Sequence, residues 1–412
     1  MSDEKHKFFE IIKTGSDYEF VGRAKSAYAV STVLIVGSIL MLFINAFVIK
    51  SRGRVLNWGV DFRGGTELQV EFKKDVAISA VRAAVEGGGF TGVDVVRYGA
   101  GGGSDTGKKF LVRMGAVSVI SPEKAAAAKA KISKIGEASL KSFALSEGGD
   151  VIYLRFDKPL ENAAVRSALS SAGVEATDLK QDGLGLSYEA RLIGLDVEVT
   201  KALEKSLGDG AVEDIPMVAS VGAKAGRQLQ IDGVKAVLGA MVLIMLYVGL
   251  RFDFRYGPGA ILALLHDSII TIGAFALTYR EFSLTTLAAV LTIIGFSVND
   301  TIVIFDRIRE NLARYRDRKL ERVVNLSINE TLSRTIWTSG TLLFVTLAMN
   351  IFASGVIRDF AFAMNVGVIV GTYSSIYVAA PVVIWLTNRA AAQGKSVRAS
   401  ETTRRRRDAE AV

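Results

Sequence analysis

Six apolar runs long enough to cross a bilayer govern what this chain can fold into. They lie at about 27–49, 233–250, 258–278, 284–305, 335–353 and 360–387. A bilayer core takes roughly 20 helical residues, and backbone in hydrocarbon must satisfy its own hydrogen bonds. Each run is therefore predicted as a membrane helix. Between the first and second runs lie roughly 180 residues of mixed composition. That is the one stretch able to form a sizeable domain outside the membrane.

The composition fits this division. Half of the 412 residues are hydrophobic, yet 22% are charged, which suits a chain that is part membrane and part soluble. Cysteine is absent, so disulfides and thiolate metal sites are excluded, and with two histidines no metal site is expected. A formal net charge of +8 raises the question of nucleic acid. The positions of the charges answer it. Lys5, Lys7, Lys13, Arg23 and Lys25 precede the first run, and Arg251 and Arg255 follow the second. Arg307 through Arg322 fill the loop after the fourth, and Arg389 through Arg407 fill the tail. The alternate short loops hold Arg280 and Arg358. Positive charge collects on the cytoplasmic side, so both termini are expected there and the large domain outside, with no nucleic acid involved. The basic tail reads as a solvated or lipid-headgroup segment. The charged leader is too long for a cleavable signal, so the first run reads as a retained anchor.

The expected fold is a polytopic α-helical membrane protein with six transmembrane helices and one α+β domain of ferredoxin-like βαβ units between helices 1 and 2. The segments are a cytoplasmic 1–26, helix 1 at 27–49, a periplasmic domain at 50–232, five helices over 233–387 and a basic tail at 388–412. Within the domain, TELQVEF (66–72) alternates as a strand, and DVAISAVRAAVEGGGF reads as a helix closed by glycines. GVDVVRYG and KKFLVRM read as strands around the Gly-rich turn 99–107, which lacks the ending of a phosphate loop. A shift of 84 residues lays 70–94 over 154–178: Phe72 meets Phe156, Ala80-Val81-Arg82 meets Ala164-Val165-Arg166, and Gly89 meets Gly173. Two copies of a strand–helix–strand unit are expected, with a helix at 123–143 between them; the competing reading is chance similarity of two amphipathic helices.

Charged residues within membrane helices cost about 2.5–3.5 kcal/mol on insertion scales and mark sites by default. Asn299 and Asp300 sit near the end of the fourth run, and Arg334 begins the fifth. Asp300 and Arg334 fall at similar depths on successive helices, so a carboxylate–guanidinium contact is geometrically open. It would serve either as a proton site or as a static ion pair. Asp267, on the third run beside His266, is either a second proton site or a hydrogen-bonded helix contact, and His266 is expected on another face. Gly367 and Gly371 on the sixth run permit close helix approach. No nucleophile–base set, metal cluster or nucleotide loop is visible, so an enzyme is not expected and no catalytic residues are assigned.

Several segments together resemble the SecF family of bacterial protein export. GVDFRGGTELQVEF (59–72) resembles the family's stretch after the first span, carrying Gly59, Asp61, Phe62, Gly64, Gly65 and Thr66, with Arg63 in place of the usual threonine. VGAKAGRQLQIDGVKAV (221–237), ALLHDSIITIGAFAL (263–277), GFSVNDTIVIFDRIREN (295–311) and SRTIWTSGTLL (333–343) resemble its later spans. Residues 100–195 match no part of the pattern, and duplication within the outer domain is one explanation. The resemblance implies a member of the resistance–nodulation–division superfamily, in the inner membrane, that pairs with SecD, binds the SecYEG channel and often YajC, and draws unfolded exported chains outward. It implies no cofactor, with protons as the coupling ion. Asp300 matches the family's proton-path aspartate and Arg334 its partner arginine. The alternative is a proton-driven small-molecule or lipid exporter half-unit of the same superfamily.

Overall fold

The computed structural model describes residues 17–49, 54–98, 106–115, 120, 122–146 and 149–392. The chain divides into two compact units, residues 58–232 and the remainder. Along the sequence run α1 (Ala24–Phe43), a two-residue strand β1 (Asn57–Trp58), the single turn α2 (Val60–Arg63), β2 (Gly65–Ala77), α3 (Ile78–Gly87), β3 (Asp94–Arg97) and β4 (Thr106–Met114). Then follow α4 (Pro122–Lys131), β5 (Lys134–Ile135), β6 (Ala138–Leu145), β7 (Val151–Phe156), α5 (Asn162–Ser171), β8 (Ala176–Gln181), β9 (Ser187–Leu192), α6 (Leu195–Leu207) and β10 (Val212–Val221). The rest is α7 (Ala223–Arg251), α8 (Gly257–Thr278), a short β11 (Glu281–Phe282), α9 (Leu284–Arg314), α10 (Leu320–Phe352), α11 (Gly355–Ser374) and α12 (Ala380–Ala392).

Unit 58–232 holds two antiparallel sheets, ordered β10-β2-β4-β3 and β5-β6-β7-β9-β8. In both, a strand leads into a helix and then a hairpin whose second strand inserts beside the first: β2-α3-β3-β4 and β7-α5-β8-β9. The segments 70–94 and 154–178 thus hold the same topological positions. Phe72 and Phe156 are core residues, Val81 and Val165 are fully buried on the helices, and Gly89 and Gly173 both take positive φ. Each sheet needs one more helix and strand to complete a βαββαβ arrangement. In chain order these are α4-β6 and then α6-β10, so two such units follow one another along the sequence. The arms are exchanged, however. The arm α4-β6 closes on β7, while α6-β10 closes on β2. Alternating burial along β2, β7 and β9 sets the helix-facing side of each sheet.

The helix expected over 123–143 ends at Lys131. Gly136, at φ 59°, makes the turn between β5 and β6, and Leu140 through Leu145 pair with β7. Cross-strand pairing there overrides the helix-favouring Ala, Glu and Lys content. The Gly-rich turn lies mostly outside the described residues; β3 and β4 on either side of it pair antiparallel. The first 16 residues and the tail beyond 392 are likewise outside them.

Among the described residues six helical segments are long and apolar enough to cross a membrane: Val21–Val48, Ala223–Arg251, Gly257–Thr278, Leu284–Arg314, Leu320–Phe352 and Gly355–Ala392. The fourth and fifth are longer than their apolar runs because an amphipathic stripe continues past the charges. Ile304, Phe305 and Ile308 of α9 and Val324 and Ile328 of α10 share one buried cluster. Local signals place the ends: Pro258 stands in the first turn of α8, and Ser283 caps α9 by accepting from the Thr286 amide at 3.3 Å. The sixth segment carries a π turn at Ser375–Ala379, just before Pro381, which lacks an N–H for the regular ladder. Outer faces remain apolar, with Val33, Leu243, Phe344 and Phe352 all more than half exposed, as hydrocarbon-facing helices require.

The exchanged arms have a measurable consequence. Leu203 of α6 is fully buried in the core of the first sheet, so Leu203→Ala is expected to cost about 2–5 kcal/mol. Hydrogen exchange should then rise in β2 and β4 while β7 and β9 stay protected; the reverse pattern would contradict the exchange.

Candidate functional site

Two centres of buried polar residues inside the helix bundle are each built on an aspartate. Asp267 of α8 is fully buried. Its Oδ2 accepts from the Ser297 hydroxyl of α9 at 2.6 Å and from the Ser374 hydroxyl of α11 at 2.8 Å. Its Oδ1 lies 2.9 Å from Nδ1 of His266. His266 therefore joins the centre rather than facing elsewhere: its other ring nitrogen is 3.1 Å from the Ser31 hydroxyl of α1, and the ring stacks on Tyr373 of α11. The Tyr373 hydroxyl donates to the Ala27 carbonyl at 2.7 Å. One carboxylate thus ties four helices together. Three partners suit a buried carboxyl group that would otherwise be costly.

Asp300 is 2% exposed and sits three residues beyond Ser297 on α9, on the same helix face. Among the described residues it accepts one hydrogen bond, from the Ser339 hydroxyl of α10 at 3.1 Å. Ser339 in turn accepts from Thr372 of α11 at 2.8 Å. No ion pair joins Asp300 to Arg334 among the described residues. Arg334 is exposed and lines an open cleft with Arg251, Asp306, Arg307, Glu330 and Thr331. The reason is angular. Ser339 faces Asp300, and five residues at ~100° each place Arg334 roughly 140° away around α10. In that cleft Arg307 bridges Glu330 and Glu310, both at 2.6 Å. Asn299 is exposed on α9, about 100° from its neighbour Asp300, so the structure does not bring it to the carboxylate.

Gly367 and Gly371 allow α11 to lie against α9. A Cβ at Gly367 would run into the Ile293 side chain. At Gly371 it would meet Cβ of Ser297 at 3.1 Å and Oδ2 of Asp267 at 3.5 Å, so this glycine also makes room for the Asp267 centre. The hydroxyls of Ser297, Ser339, Thr372 and Ser374 carry no mark in the sequence. Isolated Ser and Thr are common in membrane helices, and nothing local separates these from hydroxyls that bond their own backbone.

The residues 59–66 occupy a tight crossing at the start of the first sheet. Gly59 precedes α2, Phe62 is buried edge-on against Trp58 at 5.4 Å, and the Phe62 carbonyl accepts from Gln230 at 3.0 Å. Asp61 lies in the single turn of α2. Gly64 and Gly65 have φ of 75° and 125°, where L side chains are strained. A Cβ on Gly64 would meet Cα of Ala223 at 2.7 Å, and one on Gly65 would meet the Met114 carbonyl. Thr66 is buried and shares a 2.8 Å hydrogen bond with Ser220 of β10.

Six spanning helices, two buried carboxyl centres and an α/β unit define a multi-pass membrane protein. Residues 200–389 match the C-terminal region of the protein export membrane proteins SecD and SecF, and residues 53–76 match the SecD/SecF GG motif. The protein translocase subunit SecF of Calditerrivibrio nitroreducens is 33% identical over 379 residues, covering 92% of this chain and 96% of that one. That of Gemmatimonas aurantiaca is 38% identical over 273 residues, covering 62% and 81%. The crystal structure of SecDF from Thermus thermophilus, titled a translocon-associated membrane protein, aligns with a TM-score of 0.58 at 29% identity. It covers 91% of this chain, which spans 39% of the SecDF chain. The chain belongs to the SecF family of protein translocase subunits. The match to the Calditerrivibrio relative extends over 92% of this chain, so most of the segment 100–195 lies within its span.

Two outcomes are expected. Gly65→Ala should destabilise unit 58–232 by roughly 1–3 kcal/mol through backbone strain, read as a lower midpoint of thermal unfolding in detergent. Asp267→Ala removes the acceptor of two serine hydroxyls and the partner of His266, and each buried group left unsatisfied costs about 1–3 kcal/mol. It should lower the yield of folded protein; an unchanged midpoint would show that the four-helix tie is dispensable.

Proposed function

We propose that this chain works as the SecF subunit of the Sec export machinery in the bacterial inner membrane and couples proton entry to late steps of export. The chain matches 39% of SecDF, and a SecD partner would supply what the remainder supplies there. In this reading the pair sits against the SecYEG channel, with YajC as a further neighbour, lipids covering the outer helix faces and an unfolded exported polypeptide passing the α/β unit. Both termini are cytoplasmic and that unit is periplasmic, following the distribution of Lys and Arg.

The observation that carries the coupling role is the contrast between the two aspartates. Asp267 is held from three sides by Ser297, Ser374 and His266. Asp300 has a single serine for a partner among the described residues, although it is equally buried. A carboxyl group with so few fixed donors changes its proton occupancy at least cost to its surroundings. Asp267 is accordingly the fixed tie, and Asp300 is the site that loads and unloads. Arg334 waits in the adjoining cleft, on the helix that also carries Ser339. In one state the guanidinium reaches the ionised carboxylate; in the other, protonation releases it. The proton is the coupling ion and no cofactor takes part. One charge crossing 100 mV makes about 2.3 kcal/mol available, enough to shift a two-state equilibrium roughly fifty-fold.

Asp300→Asn keeps the shape and the Ser339 contact but cannot exchange a proton. Export driven by the proton gradient should fall to its gradient-independent level in membrane vesicles, with the protein still assembled. Normal gradient-driven export from this variant would end the proposal. Arg334→Lys, which keeps the charge but loses the planar fork, should give an intermediate loss.

A further inference from the structure

Ahead of the first span, residues Asp17–Val21 lie along the N-terminal end of α10 and are held there by their backbone. Asn325 is 1% exposed. Its Oδ1 accepts from the Phe20 amide at 2.8 Å and the Val21 amide at 3.4 Å, and its Nδ2 donates to the Tyr18 carbonyl at 2.9 Å. One turn further on, the Asn329 Oδ1 accepts from the Tyr18 amide at 2.9 Å and its Nδ2 donates to the Tyr18 carbonyl at 2.9 Å. Arg322 lies on the same stripe of α10 and pairs with Asp17 at 2.6 Å and Glu19 at 3.0 Å. The Phe20 ring packs edge-on against Tyr377 at 6.0 Å.

The first amides of a helix have no partner within it. The 3₁₀ turn Val21–Arg23 that opens the first span has no side-chain cap of its own. Asn325 supplies that cap from another helix. The arrangement calls for a carboxamide, since a single side chain must accept from amides and donate to a carbonyl. The exposed Arg322 pairs add little beside it. Farther along, the first span is fastened to α8: Ser31 meets His266, a Cβ at Gly273 would run into Ser38, and Asn45, just past α1, donates to the Ala276 carbonyl at 2.7 Å. The middle of α10 carries Arg334 and Ser339. The asparagine clamp therefore joins the α1–α8 pair to the helix that faces Asp300.

We propose that Asn325 and Asn329 are positioning residues that pin the N-terminal end of α10 to the start of the first span, so that α10 tilts about this point when the proton is exchanged. The proposal rests on the role of Asp300 given above. With the end pinned, loosening of Ser339 and Arg334 at Asp300 becomes rotation about a fixed point. With the end free, α10 slides and the displacement is lost.

The full chain is tested in its assembled membrane complex. It has no cysteine, so introduced thiols are unique. Spin labels at Gly22→Cys and Lys319→Cys should give one narrow distance in the parent and a broad one in the Asn325→Ala/Asn329→Ala double variant. That variant should lose about fivefold of gradient-driven export. A thiol cross-link between Glu19→Cys and Arg322→Cys in the double-variant background should restore it at an equal amount of assembled complex before and after cross-linking, which separates pinning from repair of misfolding. A distance that stays narrow, export that is unaffected once the segment is free, or failure of the cross-link to restore it each overturns the proposal. Asp300→Asn runs in parallel. Normal export from that variant would remove the proton reading, while the spin-label distances still report whether the asparagines hold the segment.

Discussion

Hydration lost by two carboxyl groups is the constraint around which the helix bundle is arranged. An aspartate side chain in hydrocarbon is tolerated only where other helices bring donors to it. Asp267 draws α1, α8, α9 and α11 together through Ser31 by way of His266, and through Ser297 and Ser374. The close crossing this demands explains Gly367 and Gly371, whose missing side chains leave room for Ile293, Ser297 and the carboxylate itself. Asp300, one turn along, receives far less. The same bundle thus holds one acid with three partners and another with a single serine among the described residues, with Ser297 and Asp300 one turn apart on α9.

Much of the architecture was legible in the amino-acid order. The apolar runs marked six spanning helices because hydrocarbon admits few other backbones. The alternation around 66–72 marked β2, and Phe72, Val81 and Gly89 matched Phe156, Val165 and Gly173 in position as well as in type. Boundaries were less legible. The apolar runs underestimated α9 and α10, because charged residues share those turns with Ile308, Val324 and Ile328, which face inward. The stretch after Lys131 carries helix-forming residues, yet its conformation is decided by a partner strand that begins at Val151.

The site was legible in its acids and illegible in its geometry. A carboxylate in an apolar run announces itself, and both Asp267 and Asp300 were visible on that ground. Which hydroxyl would meet which acid depends on helix rotation. Arg334 and Ser339 are five residues apart, and only packing decides that the serine faces Asp300 while the arginine opens onto a cleft. The same holds for His266, whose partner is its own neighbour in sequence. The glycines at 64 and 65 mark a crossing where the chain passes close to Ala223 and Met114, a demand that becomes visible once β10 and β4 flank β2.

The exchange of arms between the sheets bears on how the chain acquires its shape during synthesis. Gly65 pairs with Val221, so the opening strand of residues 58–232 waits for the closing one. Everything between, including the whole second sheet, must leave the ribosome before the first can be finished. Pairings this far apart in sequence are slow to form. The β6–β9 sheet, whose strands are contiguous, is the piece that can assemble early and hold the unfinished half near its partner.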